Sequence, residues 1–473
     1  MELTTDRRGS KPLPRRLREH EPRAGDASHH LSAFHFDGNR NMLLWILEHF
    51  AHQEPATAVV RCTFRAAGAA TVGFLLTVLL GPWWIDWLRR RFREPLDTRL
   101  PQLSKLHQAK QWTPTMGGLF IVGGLLLGSL AWADLRNPYV AVTLTTIAAL
   151  SILGAVDDLT KLARRGPGIA PRTKLIFQSS IALVASLWLY QIHQATPDGL
   201  LLRLPIIGAT GDLGLWYVPL AMTLLIGFAN AVNLTDGLDG LAAGCTLLAL
   251  MTMAVIAYLG GSLVLTSPET VPDARCAGEM LVVAAAAAGG LLGFLWFNCH
   301  PAHVFMGDTG SQPLGGLLAM MALCTRHELL LLVVGGVFVV EAGSVMLQVG
   351  SFRLRNRRIL RCAPLHHHFQ FGGWSETQIV VRFWIAAAIF ASLGLGLLRY
   401  PNAAPSHLPP APTNAGASDS QEMALANEWS EVSRIASMPS EPNPSSGSLY
   451  EQGHVLRKIF PSTNPATRRV PFE

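Results

Sequence analysis

Asp157 and Asp158 stand side by side near the end of a long apolar run, in Gly154-Ala-Val-Asp157-Asp158-Leu-Thr-Lys161. Adjacent carboxylates repel one another. A chain that keeps them at a membrane boundary does so for a cation or a proton, or else sets them at a solvated helix end. Lys161 follows at i+4 and i+3, spacings that put an ammonium on the same helical face. A second group, Asn230-Ala-Val-Asn233-Leu-Thr-Asp236-Gly-Leu-Asp239-Gly240, repeats a polar residue at every third position. In one continuous helix these four side chains would form a drifting polar stripe. Such residues inside a bilayer are costly, and face either a polar cavity or a seam with another helix. Gly237 and Gly240 permit close backbone approach or a break in the helix.

Phe305-Met-Gly307-Asp308-Thr309-Gly310-Ser311 sets an Asp between glycines at the start of an apolar run. This arrangement suits an N-cap, and equally a phosphate or Mg²⁺ site, because free N–H groups gather at a helix N-terminus. Pro364-Leu-His366-His367-His368-Phe369 carries three consecutive histidines. Sequence neighbours seldom converge on one ion, so anion recognition or proton transfer fits them better than a metal. Lys110-Gln-Trp112-Thr113-Pro114-Thr115 joins a cation to an N-cap residue and a Pro suited to the first helical position. Glu341, alone in an apolar run, is either a structural pair partner or a functional acid. No P-loop, dinucleotide fingerprint or Ser-His-Asp order accompanies these motifs. Carboxylates, amides, lysines and histidines beside a bilayer make a set for Mg²⁺, a diphosphate and a polar head group. The reaction class this implies is phosphoryl transfer between a soluble nucleotide conjugate and a lipid phosphate.

The elements that must position these residues are membrane helices. Only 15% of the 473 residues are charged, against about 25% in soluble domains, and the deficit lies in the middle of the chain. This excludes a soluble multidomain enzyme, a disordered protein and a disulfide scaffold. The six cysteines (Cys62, Cys245, Cys276, Cys299, Cys324, Cys362) are scattered without a CxxC pair and read as small apolar fillers. Ten runs of about bilayer length lie near 66–88, 116–133, 138–156, 175–194, 213–232, 240–260, 279–299, 305–325, 328–350 and 378–399. The expected fold is an all-α polytopic membrane protein of about ten transmembrane helices.

Basic residues mark one side of it. Arg89, Arg90, Arg91, Arg93, Arg99, Lys105 and Lys110 follow the first run; Lys161, Arg164, Arg165, Arg172 and Lys174 follow the third; Arg353, Arg355, Arg357, Arg358 and Arg361 follow the ninth. The alternate loops hold little beyond Arg136, Arg203, Arg275 and Arg326. The positive-inside rule puts the odd-to-even connections, with all the reactive motifs, in the cytoplasm and both chain ends outside. The charges of residues 1–41 and 401–473 nearly cancel, so the net +6 reports this bias and not a nucleic-acid footprint. Residues 1–41, which lack a secretory signal, are expected to be a disordered extension or a mis-called start; 401–473 are expected to be a disordered Pro/Ser-rich tail.

From about Met42 to Tyr400 these motifs stand in the order and spacing of the phospho-N-acetylmuramoyl-pentapeptide-transferase family, which the chain strongly resembles. The resemblance rests on Thr113-Pro-Thr-Met-Gly-Gly, Val156-Asp-Asp, the Asn230–Gly240 group, Phe305-Met-Gly-Asp-Thr-Gly-Ser and Pro364-Leu-His-His-His-Phe. It implies transfer of phospho-MurNAc-pentapeptide from its UDP carrier to undecaprenyl phosphate, giving lipid I and UMP with Mg²⁺. By the same resemblance Asp157, Asp158 and Asp308 are the essential acids, with Asp308 as Mg²⁺ ligand and Asp157 as the base that readies the lipid phosphate. Lys110 and Lys161 would contact phosphates and Thr113 would bind beside them. Asn230, Asn233, Asp236 and Asp239 would line the nucleotide pocket, with Phe305 against uracil. His366, His367 and His368 would meet the sugar-diphosphate region. Direct attack and a covalent phospho-enzyme both fit the motifs.

The implied setting is the bacterial inner membrane, with membrane lipids as surroundings, no nucleic-acid partner, and room for a homodimer. Two departures stand out: Trp112 where the family usually has Gly, and Gln370 where it usually has an acid. A sister transferase using UDP-GlcNAc would share the aspartates and normally lack the histidine motif. A transporter or structural membrane protein would have the spans without needing Asp and Asn clustered on one face.

Overall fold

The structure, a computed structural model, describes residues 56–91, 113–164, 166, 168–196, 199–205, 208–263 and 273–398. The expectations for residues 1–41 and 401–473, and those for Lys110 and Trp112, lie outside the described residues. Within them the chain forms α1 (Ala56–Arg91), α2 (Gly118–Trp132), α3 (Pro138–Arg164) and α4 (Pro171–Gln194). An antiparallel hairpin of β1 (Leu201–Leu204) and β2 (Gly208–Asp212) follows, pairing Leu201 with Asp212 and Leu204 with Gly208. It is the one exception to the all-α expectation among the described residues. Then come α5 (Tyr217–Thr235), α6 (Leu241–Leu263), α7 (Asp273–Asn298), α8 (Asp308–Thr325), the short α9 (Leu330–Val334), α10 (Gly336–Arg355), the short α11 (Leu365–Gln370) and α12 (Glu376–Gly396).

Eight helical stretches are long and apolar enough to cross a membrane. They match the expected runs except the second and eighth. At 15 residues α2 is about 22 Å long at about 1.5 Å per residue, short of a bilayer core. α8 opens on Asp-Thr-Gly-Ser-Gln, and every residue from Asp308 to Cys324 is buried. α8 is the axis of the bundle, enclosed by α2, α3, α5, α6 and α7, so its polar first turns meet protein and not lipid. The outer helices show the opposite pattern. α4 exposes Ile176, Phe177 and Val184, α10 exposes Met346 and Leu347, and α12 exposes Ile385 and Ile389. Apolar outside and polar inside is the arrangement of a multi-pass membrane protein.

Glycine contacts set how closely α8 is approached. A Cβ on Gly154 would overlap the backbone of Asp308, and one on Gly118 would overlap Gly310. The absence of a side chain at Gly154 is therefore what lets the end of α3 reach the start of α8. Pro313 withholds the N–H that would bond Thr309 O within α8; the Ser151 hydroxyl from α3 donates to that carbonyl instead, at 3.3 Å.

Several boundaries differ from the sequence expectation. α3 continues past 156 to Arg164, and α4 starts at Pro171, so the acids and lysines ride on helices and not on a loop. The ninth run is two helices parted at Gly335. Thr113 and Pro114 do not open α2. Their segment pairs instead with the strand-like stretch before α8, through Phe305 N donating to Pro114 O (2.9 Å) and Gly117 N to Phe305 O (2.8 Å). α2 then begins at Gly118, after Met116 at φ 72°. The stripe expected at 230, 233, 236 and 239 is also broken. α5 ends at Thr235, Asp236 is its C-cap, and Gly240 at φ 77° turns the chain into α6, a conformation open to glycine without a side-chain clash.

Candidate active site

The last two turns of α3, the first turn of α4, the last turns of α5 and the first turns of α8 meet at one end of the bundle. There Asp157, Asp158 and Asp308 converge with Lys161 and Lys174. The three aspartates are only 2–7% exposed, whereas the Lys161 side chain is 31% exposed and that of Lys174 16%. Lys161 Nζ lies 3.2 Å from Asp157 Oδ2, 3.2 Å from Asp158 Oδ1 and 3.0 Å from Asp308 Oδ1. Lys174 Nζ lies 3.3 Å from Asp157 Oδ2 and also contacts Asp308 Oδ2.

Each carboxylate has a different job. Asp158 caps α8 from across the helix interface: Asp308 N (3.2 Å), Thr309 N (2.9 Å) and the Thr309 hydroxyl (2.7 Å) all donate to it. A negative charge there is favoured by the helix N-terminus. The N-cap role considered for Asp308 therefore belongs to Asp158, and the α8 terminus is filled by a carboxylate of the chain itself. Asp157 accepts from Ile169 N at 2.6 Å, which pins the α3–α4 connection over it. Asp308 accepts from Asn233 Nδ2 on Oδ1 (2.8 Å) and from Gln312 Nε2 on Oδ2 (3.2 Å).

Behind Asp308 a line of amides runs into the bundle. Gln178 Nε2 donates to Gln312 Oε1 (2.9 Å), and Asn230 Nδ2 donates to Gln178 Oε1 (2.9 Å) and to Ile226 O (2.8 Å). Asn233 Nδ2 also donates to Ser311 Oγ at 2.8 Å.

A second group sits at the α5–α6 junction. Asp239 Oδ2 takes hydrogen bonds from His300 Nδ1 (3.0 Å) and Ala302 N (3.1 Å), and Asp239 N donates to Glu376 Oε1 (2.8 Å). One ligand atom from each of Asp239, His300 and Glu376 falls within 4.8 Å of the others. The Thr113 hydroxyl donates to Ala302 O at 3.4 Å, and half-buried Phe305 lies three residues on, so Thr113, Asp239 and Phe305 share this corner.

The His366 and His367 rings lie 4.2 Å apart, but the three histidines take different partners. His366 is fully buried, with Nδ1 3.3 Å from Glu341 Oε2. Glu341 also accepts from Leu365 N (2.8 Å) and His366 N (3.1 Å), so the pair-partner reading of Glu341 is the one the structure supports. The other face of His366 packs on Gly237, where a Cβ would collide with Nε2, tying α11 to the loop after Asp236. His367 Nδ1 pairs with Gln370 Oε1 (3.1 Å). His368 Nδ1 accepts from Arg361 N (3.1 Å).

Asp157, Asp158, Lys161, Asn233 and Asp308 thus meet directly, and Asn230 joins them through two glutamines. Lys174, Gln178, Gln312, Thr309, His300 and Glu376 had no role from sequence. A signal existed for two of them. Gln178 lies four residues after Lys174 and Gln312 four after Asp308, each a lone amide one turn inside an apolar helix.

The comparisons with known proteins fit this geometry. Residues 140–326, from α3 through α8, match the family described as Glycosyl transferase family 4. The chain is 43% identical over 341 residues to the phospho-N-acetylmuramoyl-pentapeptide-transferase of Desulforapulum autotrophicum, covering 71% of this chain and 93% of that one. It is 41% identical to the enzymes of that name from Rhodopseudomonas palustris strains BisA53 and BisB18, covering 76% of this chain and 99% of each relative. With its acid–lysine centre placed inside the matched region and its apolar exterior, the chain belongs to the phospho-N-acetylmuramoyl-pentapeptide-transferase family.

Proposed function

We propose that this protein transfers phospho-MurNAc-pentapeptide from UDP-MurNAc-pentapeptide to undecaprenyl phosphate, forming lipid I and UMP at the cytoplasmic face of a bacterial inner membrane. The observation that carries the reading is the convergence of Asp157, Asp158 and Asp308 with Lys161 and Lys174 at the end of a lipid-facing bundle. In the reaction an oxygen of the lipid phosphate bonds to the sugar-bearing phosphorus, the bond to the bridging oxygen breaks, and UMP leaves with that oxygen. There is little covalent work for the protein beyond position and charge.

Lys161 is the most exposed charged group of the centre and, with Lys174, would meet the phosphate oxygens. Asp157 keeps one oxygen on Ile169 N and turns the other to the lysines, which suits it to take the proton of the lipid phosphate. Mg²⁺ fits the donor set: Asp308 and Asp157 offer hard oxygens now matched by ammonium groups, whereas Asp158 is committed to the α8 terminus. Asp308 would hold the ion, which would supply charge neutralisation on the phosphates, with Asp157 left to its role as base. Asp236, Asp239 and Phe305 would take the nucleotide. His367 and His368, on the α11 turn, would lie toward the sugar diphosphate. Counting α2 and α8 with the eight longer helices, the described residues would make ten spans, which with the centre in the cytoplasm would leave both ends of that ten-span unit outside.

The test is UMP release by detergent-purified protein with undecaprenyl phosphate and Mg²⁺, offered UDP-MurNAc-pentapeptide or UDP-GlcNAc. Lipid-linked product from the first donor alone, lost on chelation, is expected. Product from UDP-GlcNAc would move the protein to the sister transferases, and no product from either in folded protein would refute the reading.

A further inference from the structure

Both oxygens of Asp308 end a chain of hydrogen bonds whose direction is set by a backbone carbonyl. On the Oδ2 side the order is Asn230, Gln178, Gln312, Asp308. Ile226 O can only accept, so the Asn230 group facing it, which is 2.8 Å away, is the NH₂. The same nitrogen faces Gln178, which must present its oxygen; its own NH₂ then meets the Gln312 oxygen, and the Gln312 NH₂ meets Asp308. Reversing the order would set the Asn230 side-chain oxygen against Ile226 O, two acceptors with no hydrogen between them.

On the Oδ1 side the Ser311 hydroxyl donates to Gly307 O (3.0 Å), so it accepts from Asn233 Nδ2, which also donates to Asp308 Oδ1. Gln178 and Gln312 are 2% and 0% exposed, so water has little access to substitute for them. The cleft beside Gln178 is lined by Leu150, Ile181, Ala182, Leu225 and Ala229, and its one hydroxyl, on Thr146, is spent on Val142 O.

Each Asp308 oxygen therefore has one donor fixed in the interior, an amide, and one donor toward solvent, Lys161 or Lys174. Resting on the transferase reading, we propose that Asn230, Gln178 and Gln312 are positioning residues. They form a one-way amide relay that holds the Asp308 carboxylate as an acceptor aimed at the cation site while the lysines exchange with an incoming ion. Asn230 thereby acts on kcat through Asp308 and not on nucleotide affinity.

The experiment compares full-length, detergent-purified Gln178→Met, Gln312→Met, the double variant and Asn230→Leu. It reads kcat, KM for each substrate, and the rise in Tm produced by Mg²⁺ alone. Each single glutamine variant is expected to lose about ten- to hundred-fold in kcat with KM nearly unchanged. The double variant should be no slower than Gln312→Met, because without Gln312 there is nothing for Gln178 to orient. The Mg²⁺-induced rise in Tm should shrink in all of them.

Asn230→Leu, at the half-buried end, keeps the test open if the deeper substitutions do not fold. A fall in its kcat supports the relay, whereas a raised KM for the UDP donor at unchanged kcat overturns it. Wild-type kcat in Gln178→Met, or losses that multiply in the double variant, also overturn it. A wild-type protein without turnover would refute the transferase reading alone. A Mg²⁺ response that persists in Gln178→Met, or is absent from the wild type, refutes the relay.

Discussion

The two ends of the bundle both bury charge, and they do it in opposite ways. At the end away from the carboxylate centre, Arg65 of α1 meets Glu279 of α7 through two hydrogen bonds, Nη1 to Oε1 at 2.6 Å and Nη2 to Oε2 at 2.7 Å. The rest of the guanidinium holds Trp132 O at the end of α2, and Glu279 also accepts from Asp134 N. One cation answers one anion, and the spare valences go to backbone. At the other end three carboxylates share two lysines, each lysine contacts more than one acid, and the lysines lie toward solvent. The first arrangement is a clamp that ties three helices. The second sets three carboxylates against two ammonium groups, a local negative excess that under the proposed transferase reading would suit a metal ion.

Substitutions should separate the two ends by kind of damage. The largest effect is expected at Asp308→Asn, which keeps the shape but removes the charge: turnover should fall about 10³-fold with the protein still folded, by UMP release and size-exclusion profile. A fully active variant would sink the metal-ligand assignment. Lys174→Met should lower turnover about 10²-fold, since Lys174 bridges Asp157 and Asp308. An effect on Tm alone would make it a mere clamp like Arg65. Arg65→Met should do the reverse, costing about 3 kcal/mol of stability by stranding Glu279 while the surviving folded protein keeps kcat within about two-fold. Adding Glu279→Met should restore part of the lost Tm.

The smallest effect concerns pH at the clamp end. In the connector between α8 and α9, burial holds the His327 imidazole down to about 4, against the hydrogen bond to Thr325 O that favours its charged form and with Arg203 and Arg326 reinforcing the depression. Below pH about 6.5 the unfolded chain takes up a proton that the folded chain refuses, so this group costs stability as pH falls from there to about 4. His327→Gln should therefore lose less stability over that window than the wild type, by about 2–3 kcal/mol. Neighbouring Glu328, pushed up to about 7 mainly by burial, acts in the opposite sense but is present in both proteins and cancels in the comparison. Equal acid sensitivity of the two proteins would remove His327 from the account.

The legibility of the site followed side-chain chemistry. Asp157, Asp158 and Asp308 stood out because a carboxylate in an apolar run is costly wherever it points. Gln178 and Gln312 did not, because a single neutral amide in a membrane helix is cheap enough to pass as a helix–helix contact. Lys174 was absorbed into the count of basic residues that orient a membrane protein, a pattern that says which side a residue lies on but not what it touches. Thr113 and Pro114 carry the local signature of a helix start. The backbone of 305–306 instead pairs with Pro114, Gly117 and Gly118 from a segment nearly two hundred positions away, and no local rule anticipates that competitor.

By itself the sequence determined the solvent of the protein, eight of its long apolar helices and the set of reactive residue types. These depend on hydropathy, length and charge counted along one segment at a time. Only the tertiary structure decided which acid does which task. Asp158 caps α8 because Gly154 lets α3 close on it, Asp157 faces the lysines, and Asp308 sits at the end of two hydrogen-bond chains that come from α4, α5 and its own helix. Such roles arise from contacts between helices distant in sequence, and the direction of a hydrogen bond is settled by whichever backbone carbonyl lies at its far end.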